Sequence, residues 1–335
     1  MLDYLSLAGG LVILLLSGDA LVRGSVSIAR KLGIPSLVIG LTIVAFGTSA
    51  PELVISLKSA LDGISGIAVG NVVGSNIANV LLVLGAPALI ATTSCADKGV
   101  RKNAVFLLAV TVIFIVMCAF GTLERAMGLA LLAMLALFLG DSFFEMRRHQ
   151  RRRKKFKNGE TEGLDEYTRE EIEEIEEIGD TPGGMPVAAL LLLVGLIGLP
   201  LGGHLAILGA VEIARDWGVT DAAIGLTVIA FGTSLPELAT TVMAALRKHS
   251  AVALGNVLGS NVFNILAILG TTSLVKPLTI PASIMHFDIW VMLATTVLLF
   301  LLAFTRCRLR WPMGLALVGG YCLYIFLVLN VGELS

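Results

Sequence analysis

Residues 40–85 read GLTIVAFGTSAPELVISLKSALDGISGIAVGNVVGSNIANVLLVLG, and residues 225–270 read GLTVIAFGTSLPELATTVMAALRKHSAVALGNVLGSNVFNILAILG. The two stretches align without a gap at an offset of 185, and 25 of the 46 positions are identical. The likeness continues weakly upstream, through Gly24 against Gly209 and Ile28-Ala29-Arg30 against Ile213-Ala214-Arg215. The chain is therefore a duplication. Its fold depends on what solvent surrounds the two copies and how many times the chain crosses that solvent between them.

The solvent is lipid. Of 335 residues, 56% are hydrophobic and 15% charged, with a mean hydropathy of +0.90. Soluble domains carry about a quarter charged residues. The formal net charge of -1 leaves no basic excess for nucleic acid. The cysteines, Cys95, Cys118, Cys307 and Cys322, have no metal-type CxxC spacing and read as small packing residues. The opening Met1-Leu2-Asp3-Tyr4 has no basic flank, and the apolar run continues past Gly18 without a clear cleavage site. It reads as a retained first membrane helix.

A membrane helix needs about 20 mostly apolar residues. Read this way, the chain is an all-α integral membrane protein with ten transmembrane helices. Five lie near 5–30, 36–60, 66–92, 103–121 and 124–144, and five near 186–214, 220–246, 250–275, 283–305 and 311–331. The expected units are 1–144, a charged linker at 145–184, and 185–335. The run from Arg147 to Lys157 puts the linker in the cytoplasm by the positive-inside rule, with the N-terminus outside. Connections expected on the same side hold Arg30, Lys31, Lys98, Arg101, Lys102, Arg247, Lys248, Arg306, Arg308 and Arg310. The opposite side has only Lys58, Arg125, Arg215 and Lys276. Later in the linker, Ile172, Ile175 and Ile178 suggest a short amphipathic helix amid acidic residues; it reads as a solvated linker, or else a regulatory element.

Five spans per copy is an odd number, so the second copy enters the membrane upside down. Inverted repeats are a transporter design, with sites near the mid-plane where the copies meet. The repeated GTSxPE then faces itself. Pro51 and Pro236 break their helices and free the carbonyls of Gly47 and Gly232. Glu52 and Glu237 follow directly. A carboxylate at mid-span costs about 2.5–3.5 kcal/mol on insertion scales, so the pair needs a cation or a proton. Thr48 and Ser49 share a helix face with Glu52, as Thr233 and Ser234 do with Glu237. The result is an oxygen-only, dianionic site suited to a hard cation such as Ca²⁺, and the absence of His and Cys from the motifs disfavours softer metals. One span later, Ser75/Asn79 and Ser260/Asn264 can turn polar stripes toward the same point. Asn71, Asn76, Asn256 and Asn261 read either as site residues or as helix-packing glue. Asp19 and Arg23, four apart, read as an ion pair, and His204 and Glu212 as packing or cavity residues.

GTSxPE followed by GNxxGSNxxN, present twice, resembles the alpha-repeats of the cation/Ca²⁺ antiporter superfamily, above all the prokaryotic sodium/calcium exchangers. The resemblance spans nearly the whole chain. It implies ten helices in inverted halves, and four ion sites ligated by Ala45, Thr48, Ser49, Glu52, Ser75 and Asn79 with Ala230, Thr233, Ser234, Glu237, Ser260 and Asn264. The alanines would offer backbone oxygen, and spans 1 and 6 would slide as a gate. Related exchangers often carry Asp at one of the positions of Asn79 and Asn264; two neutral amides here weaken a K⁺-dependent reading. The implied activity is not enzymatic: Ca²⁺ exchange for Na⁺ across a prokaryotic plasma membrane, the ions being cargo and no cofactor being required. H⁺/Ca²⁺ antiport at the same site is the alternative, ahead of a passive channel or a non-transporting scaffold.

Overall fold

The computed structural model describes residues 2–96, 98–158, 184–218 and 230–331. The described chain is helical apart from two short strand pairs. Its helices are α1 (Leu2–Leu32), α2 (Ser36–Thr48), α3 (Ala50–Leu61), α4 (Ser65–Ile90), α5 (Lys98–Cys118) and α6 (Arg125–Lys157). After the linker come α7 (Gly184–Asp216), α8 (Ala230–Thr233), α9 (Leu235–Leu246), α10 (Ser250–Val275), α11 (Ile284–Phe304) and α12 (Trp311–Val331). Among the described residues, eight helices are long and apolar enough to span a membrane, and the bent pair α2–α3 makes a ninth. The start of the expected seventh span, 219–229, lies outside the described residues, as does the amphipathic segment around Ile172 to Ile178.

Local chemistry sets the boundaries. In α1, Asp3 sits in the first turn and Arg30 and Lys31 in the last, each matched to the helix dipole. Gly33, at φ +64°, ends the helix in the left-handed conformation that glycine tolerates, and Pro35 follows. Between α2 and α3 the chain bends by 45° at Ser49. Pro51 lies in the first turn of α3, where its missing N–H costs no helical bond. At the α8–α9 junction Ser234 likewise precedes the helix and Pro236 lies in the first turn of α9.

The fifth span continues beyond its expected end near 144, as one helix to Lys157. The extension is held by specific contacts. Lys102 bridges Asp141 and Glu145 at 2.5 and 2.8 Å, while Gln150 and Arg153 donate to the Leu32 and Arg30 carbonyls at the end of α1, each at 2.8 Å.

Helices α1 and α7 lie side by side and antiparallel. A Cβ on Gly24 would meet Leu192 and Ala188 near the start of α7, and one on Gly209 would meet Asp3 and Leu7 at the start of α1. The main apolar core joins α4, α5, α6, α10, α11 and α12. Two antiparallel strand pairs clip loops together: β1 (Thr93–Ser94) with β4 (Arg308–Leu309), and β2 (Thr122–Leu123) with β3 (Leu278–Thr279). Shifting β1 by 185 residues gives β3, and the same shift takes β2 to within one residue of β4.

Candidate ion-binding site

The two broken helices bring Glu52 and Glu237 into the first turns of α3 and α9. A helix N-terminus favours a carboxylate, yet both side chains are only 1% exposed. Among the described residues no Lys or Arg forms an ion pair with either acid. Ser49, from the first half, donates to Glu237 Oε1 at 3.2 Å, so the two motifs meet directly. The Oε2 atoms of both glutamates are buried without a hydrogen-bond partner. Two buried, unneutralised carboxylates are strongly unfavourable unless something supplies positive charge.

The remaining expected residues surround this pair. Ala45, Thr48, Ser49, Ser75, Asn79, Thr233, Ser234, Ser260 and Asn264 are all buried, and Ala230 opens the short helix α8. The Thr48 hydroxyl reaches Asn256 Oδ1 at 3.2 Å and lies 3.4 Å from Ser260 Oγ. Those contacts exist because α2 presses against α10: a Cβ at Gly259 would come within 2.5 Å of the Leu41 carbonyl, and one at Gly255 within 2.8 Å of the Leu37 carbonyl. The Ala45 carbonyl accepts the Ser49 N–H at 3.0 Å and the Thr48 hydroxyl at 3.2 Å. In the second half the Ser234 N–H donates to the Phe231 carbonyl at 3.2 Å. Asn79 and Asn264 each open a stretch of π-helix, Asn79–Val83 and Asn264–Leu269, a wider winding often found at functional sites. The Oδ1 atoms of both asparagines and the Ser234 hydroxyl are buried without partners.

Two asparagines turn out to be brackets. Asn71 donates to the Glu52 carbonyl at 3.2 Å and to Ser56 Oγ at 2.9 Å; Asn256 donates to the Glu237 carbonyl at 3.3 Å and to Thr241 Oγ1 at 3.0 Å. Each ties a glutamate-bearing helix to the next span. Ser56 and Thr241 were not singled out in the sequence, although each lies four residues after its glutamate, on the same helix face. Asn76 and Asn261 reach across the repeats to Asn264 and Asn79, each at 3.0 Å.

The polar residues of the long helices depart from expectation. Asp19 has Arg23 at 3.9 Å, but its main partner is Arg247, at the end of α9 on a different helix. Sequence spacing reveals the i,i+4 neighbour and hides the tertiary one. Glu212 pairs with Arg215 at 2.7 Å, and both Glu212 and His204 are exposed on α7 rather than packed inside the protein. Cys95 and Cys118 are buried, whereas Cys307 is half-buried and Cys322 exposed on the outer face, so the packing expected of all four holds only for the first two without qualification.

Known proteins resemble this chain over nearly its whole length. CaxA of Alkalimonas amylolytica is 39% identical over 303 residues, covering 90% of this chain and 89% of that protein. The sodium/calcium exchanger MaX1 of Methanosarcina acetivorans is 31% identical over 349 residues, covering 98% and 99%. A solved structure of the sodium-calcium exchanger NCX_Mj, soaked with Na⁺ and Sr²⁺, superposes with a TM-score of 0.78 at 30% identity, covering 97% of each chain. The family profile described as sodium/calcium exchanger protein matches residues 2–144 and 187–330. With the broken-helix carboxylates and a helical membrane fold like that of NCX_Mj, this chain belongs to the sodium/calcium exchanger family.

Proposed function

We propose that the protein exchanges Ca²⁺ for Na⁺ across a prokaryotic plasma membrane by alternating access, with the ions bound between Glu52 and Glu237. The observation that carries this reading is the pair of buried carboxylates with partnerless Oε2 atoms and, among the described residues, no Lys or Arg paired with them. Ca²⁺ takes six to eight oxygens from carboxylates, carbonyls, amides and water. The partnerless Asn79 and Asn264 oxygens and the Ser234 hydroxyl, with Thr48, Ser49, Thr233, Ser75 and Ser260 and the Ala45 and Ala230 carbonyls, make up such a set. One Ca²⁺ or several Na⁺ neutralise the same two acids. The empty dianion is costly to occlude, so the site crosses only when loaded, and transport becomes exchange.

The reading includes ten spans in two inverted halves, 1–144 and 185–335, with the N-terminus outside and the segment 145–184 in the cytoplasm. The antiparallel seating of α1 on α7 and the exchange of strand pairs under the 185-residue shift support it. Helices α1 and α7 form the moving gate.

The test is Ca²⁺ uptake into proteoliposomes driven by an outward Na⁺ gradient or by a pH gradient. Uptake is expected with Na⁺ and not with pH alone. Glu52→Gln and Glu237→Gln should each reduce it to the level of empty vesicles while leaving the protein monodisperse. Uptake driven by pH alone would replace Na⁺ with H⁺ as the coupling ion, and normal uptake in either Gln variant would remove the carboxylates from the mechanism.

A further inference from the structure

We propose that Asn76 and Asn261 are positioning residues, each holding the amide of the opposite half's Asn264 or Asn79 so that its oxygen, and not its nitrogen, faces the ion. The proposal rests on the ion site described above.

An asparagine amide has two ends of nearly equal shape and opposite chemistry, an oxygen that accepts and an NH₂ that donates. Only the oxygen can ligate a cation. A carboxylate cannot be misoriented in this way, whereas an amide ligand must be told which end to present. Here the instruction comes from across the repeat. Asn79 Nδ2 donates to Asn261 Oδ1 at 3.0 Å, and Asn264 Nδ2 donates to Asn76 Oδ1 at 3.0 Å. Both nitrogens are thereby engaged away from the site, and both ligand oxygens, Asn79 Oδ1 and Asn264 Oδ1, are left buried without partners. All four side chains are buried.

Asn76 is itself oriented. Its Nδ2 lies 3.4 Å from the Asn261 carbonyl and 3.8 Å from Met292 Sδ, which leaves its oxygen for Asn264. The two pairs are related by the 185-residue shift, 76 to 261 and 79 to 264, so the cross-repeat bond appears twice, although Asn261 Nδ2, unlike that of Asn76, is buried without a partner. The two acceptors, Asn76 and Asn261, lie on the helices that also carry Ser75 and Ser260, each three residues before the ligand amide of its own half and facing that of the other. The arrangement suits a neutral amide specifically. A carboxylate at position 264 would set an oxygen against Asn76 Oδ1 and repel it for as long as Asn76 Nδ2 keeps its contacts with the Asn261 carbonyl and Met292 Sδ.

That sign reversal makes the proposal testable by a double-mutant cycle, read as Ca²⁺ affinity of the purified protein by isothermal titration. Asn76→Leu keeps the branching and the number of heavy atoms, in a larger volume, but cannot accept a hydrogen bond. In the native background it should weaken Ca²⁺ binding by about tenfold or more, the usual cost of losing a group that orients a metal ligand. In an N264D background the same substitution should cost nothing or improve binding, because either carboxylate oxygen serves and a repulsive partner has gone. The mirror cycle, Asn261→Leu with and without N79D, serves if N76L does not fold. An equal loss in both backgrounds would mean that Asn76 merely packs, and no loss in the native background would mean that the amide orients itself; either result overturns the proposal. Glu52→Gln run alongside separates the levels: if it still binds Ca²⁺ normally, the ion site itself is wrong, whatever the asparagines do.

Discussion

Ser49 and Ser234 occupy equivalent positions in the two motifs but stand in different surroundings. The Ser49 hydroxyl donates to Glu237, whereas the Ser234 hydroxyl is buried without a partner. A hydrogen bond to a charged group contributes about 1.5–3 kcal/mol. In ion-free protein Ser49→Ala should therefore destabilise by an amount in that range, and Ser234→Ala by under about 1 kcal/mol, since it removes a hydroxyl that satisfies nothing. Thermal unfolding in detergent without Na⁺ or Ca²⁺ reads the difference, and the opposite ranking would contradict the geometry. The serines, threonines and glutamates were legible because the sequence repeats them. Their asymmetry was not, because two identical motifs differ only in what the tertiary fold sets beside them.

At the level of helices, the close approach of α2 and α10 decides whether Thr48 meets Asn256 and Ser260. Gly259 permits that approach, since an added Cβ would lie 2.5 Å from the Leu41 carbonyl and 2.6 Å from Ala45 Cβ. Gly259→Ala should destabilise by about 1–3 kcal/mol, the usual cost of overpacking, and depress exchange as the polar partners separate. Gly319→Ala, in α12, where an added Cβ meets nothing within 4 Å, should be neutral or slightly stabilising. Melting curves and Ca²⁺ uptake on the two variants check both statements, and a wild-type G259A would show that the helix contact is not limiting. Among the described residues most span boundaries were read from hydropathy to within a few residues, because membrane thickness sets helix length. The run of α6 to Lys157 was missed for the same reason: its last turns leave the apolar stretch and are held by Gln150 and Arg153 on the end of α1.

Across the whole molecule, α1 and α7 pack along a glycine-lined seam, and α1 also touches α9 where Gly18 meets Ala239. If α1 and α7 move as one body over the rest, two disulfides should behave oppositely. After replacement of Cys95, Cys118, Cys307 and Cys322, cysteines at 18 and 239 should arrest Ca²⁺ uptake when oxidised and release it on reduction. Cysteines at 6 and 205, where Ser6 already reaches the Leu205 carbonyl at 2.9 Å inside the moving pair, should leave uptake intact in both states. Arrest by the 6–205 bridge, or free exchange through the 18–239 bridge, would exclude a sliding gate of this composition. The Asp19–Arg247 pair joins the same two bodies. Spacing in the sequence offered Asp19 only Arg23.

The sequence by itself determined the helical membrane class, the duplication and the two glutamates, because hydropathy and repetition are local and cumulative along the chain. The tertiary structure alone decided which serine meets which acid, that Asn76 and Asn261 hold the opposite half's amides, and that Asp19 answers to Arg247. Those contacts join residues far apart in the chain, and a hydrogen bond of 3 Å depends on how closely helices approach, which side-chain volumes at the seams set and which no periodicity records.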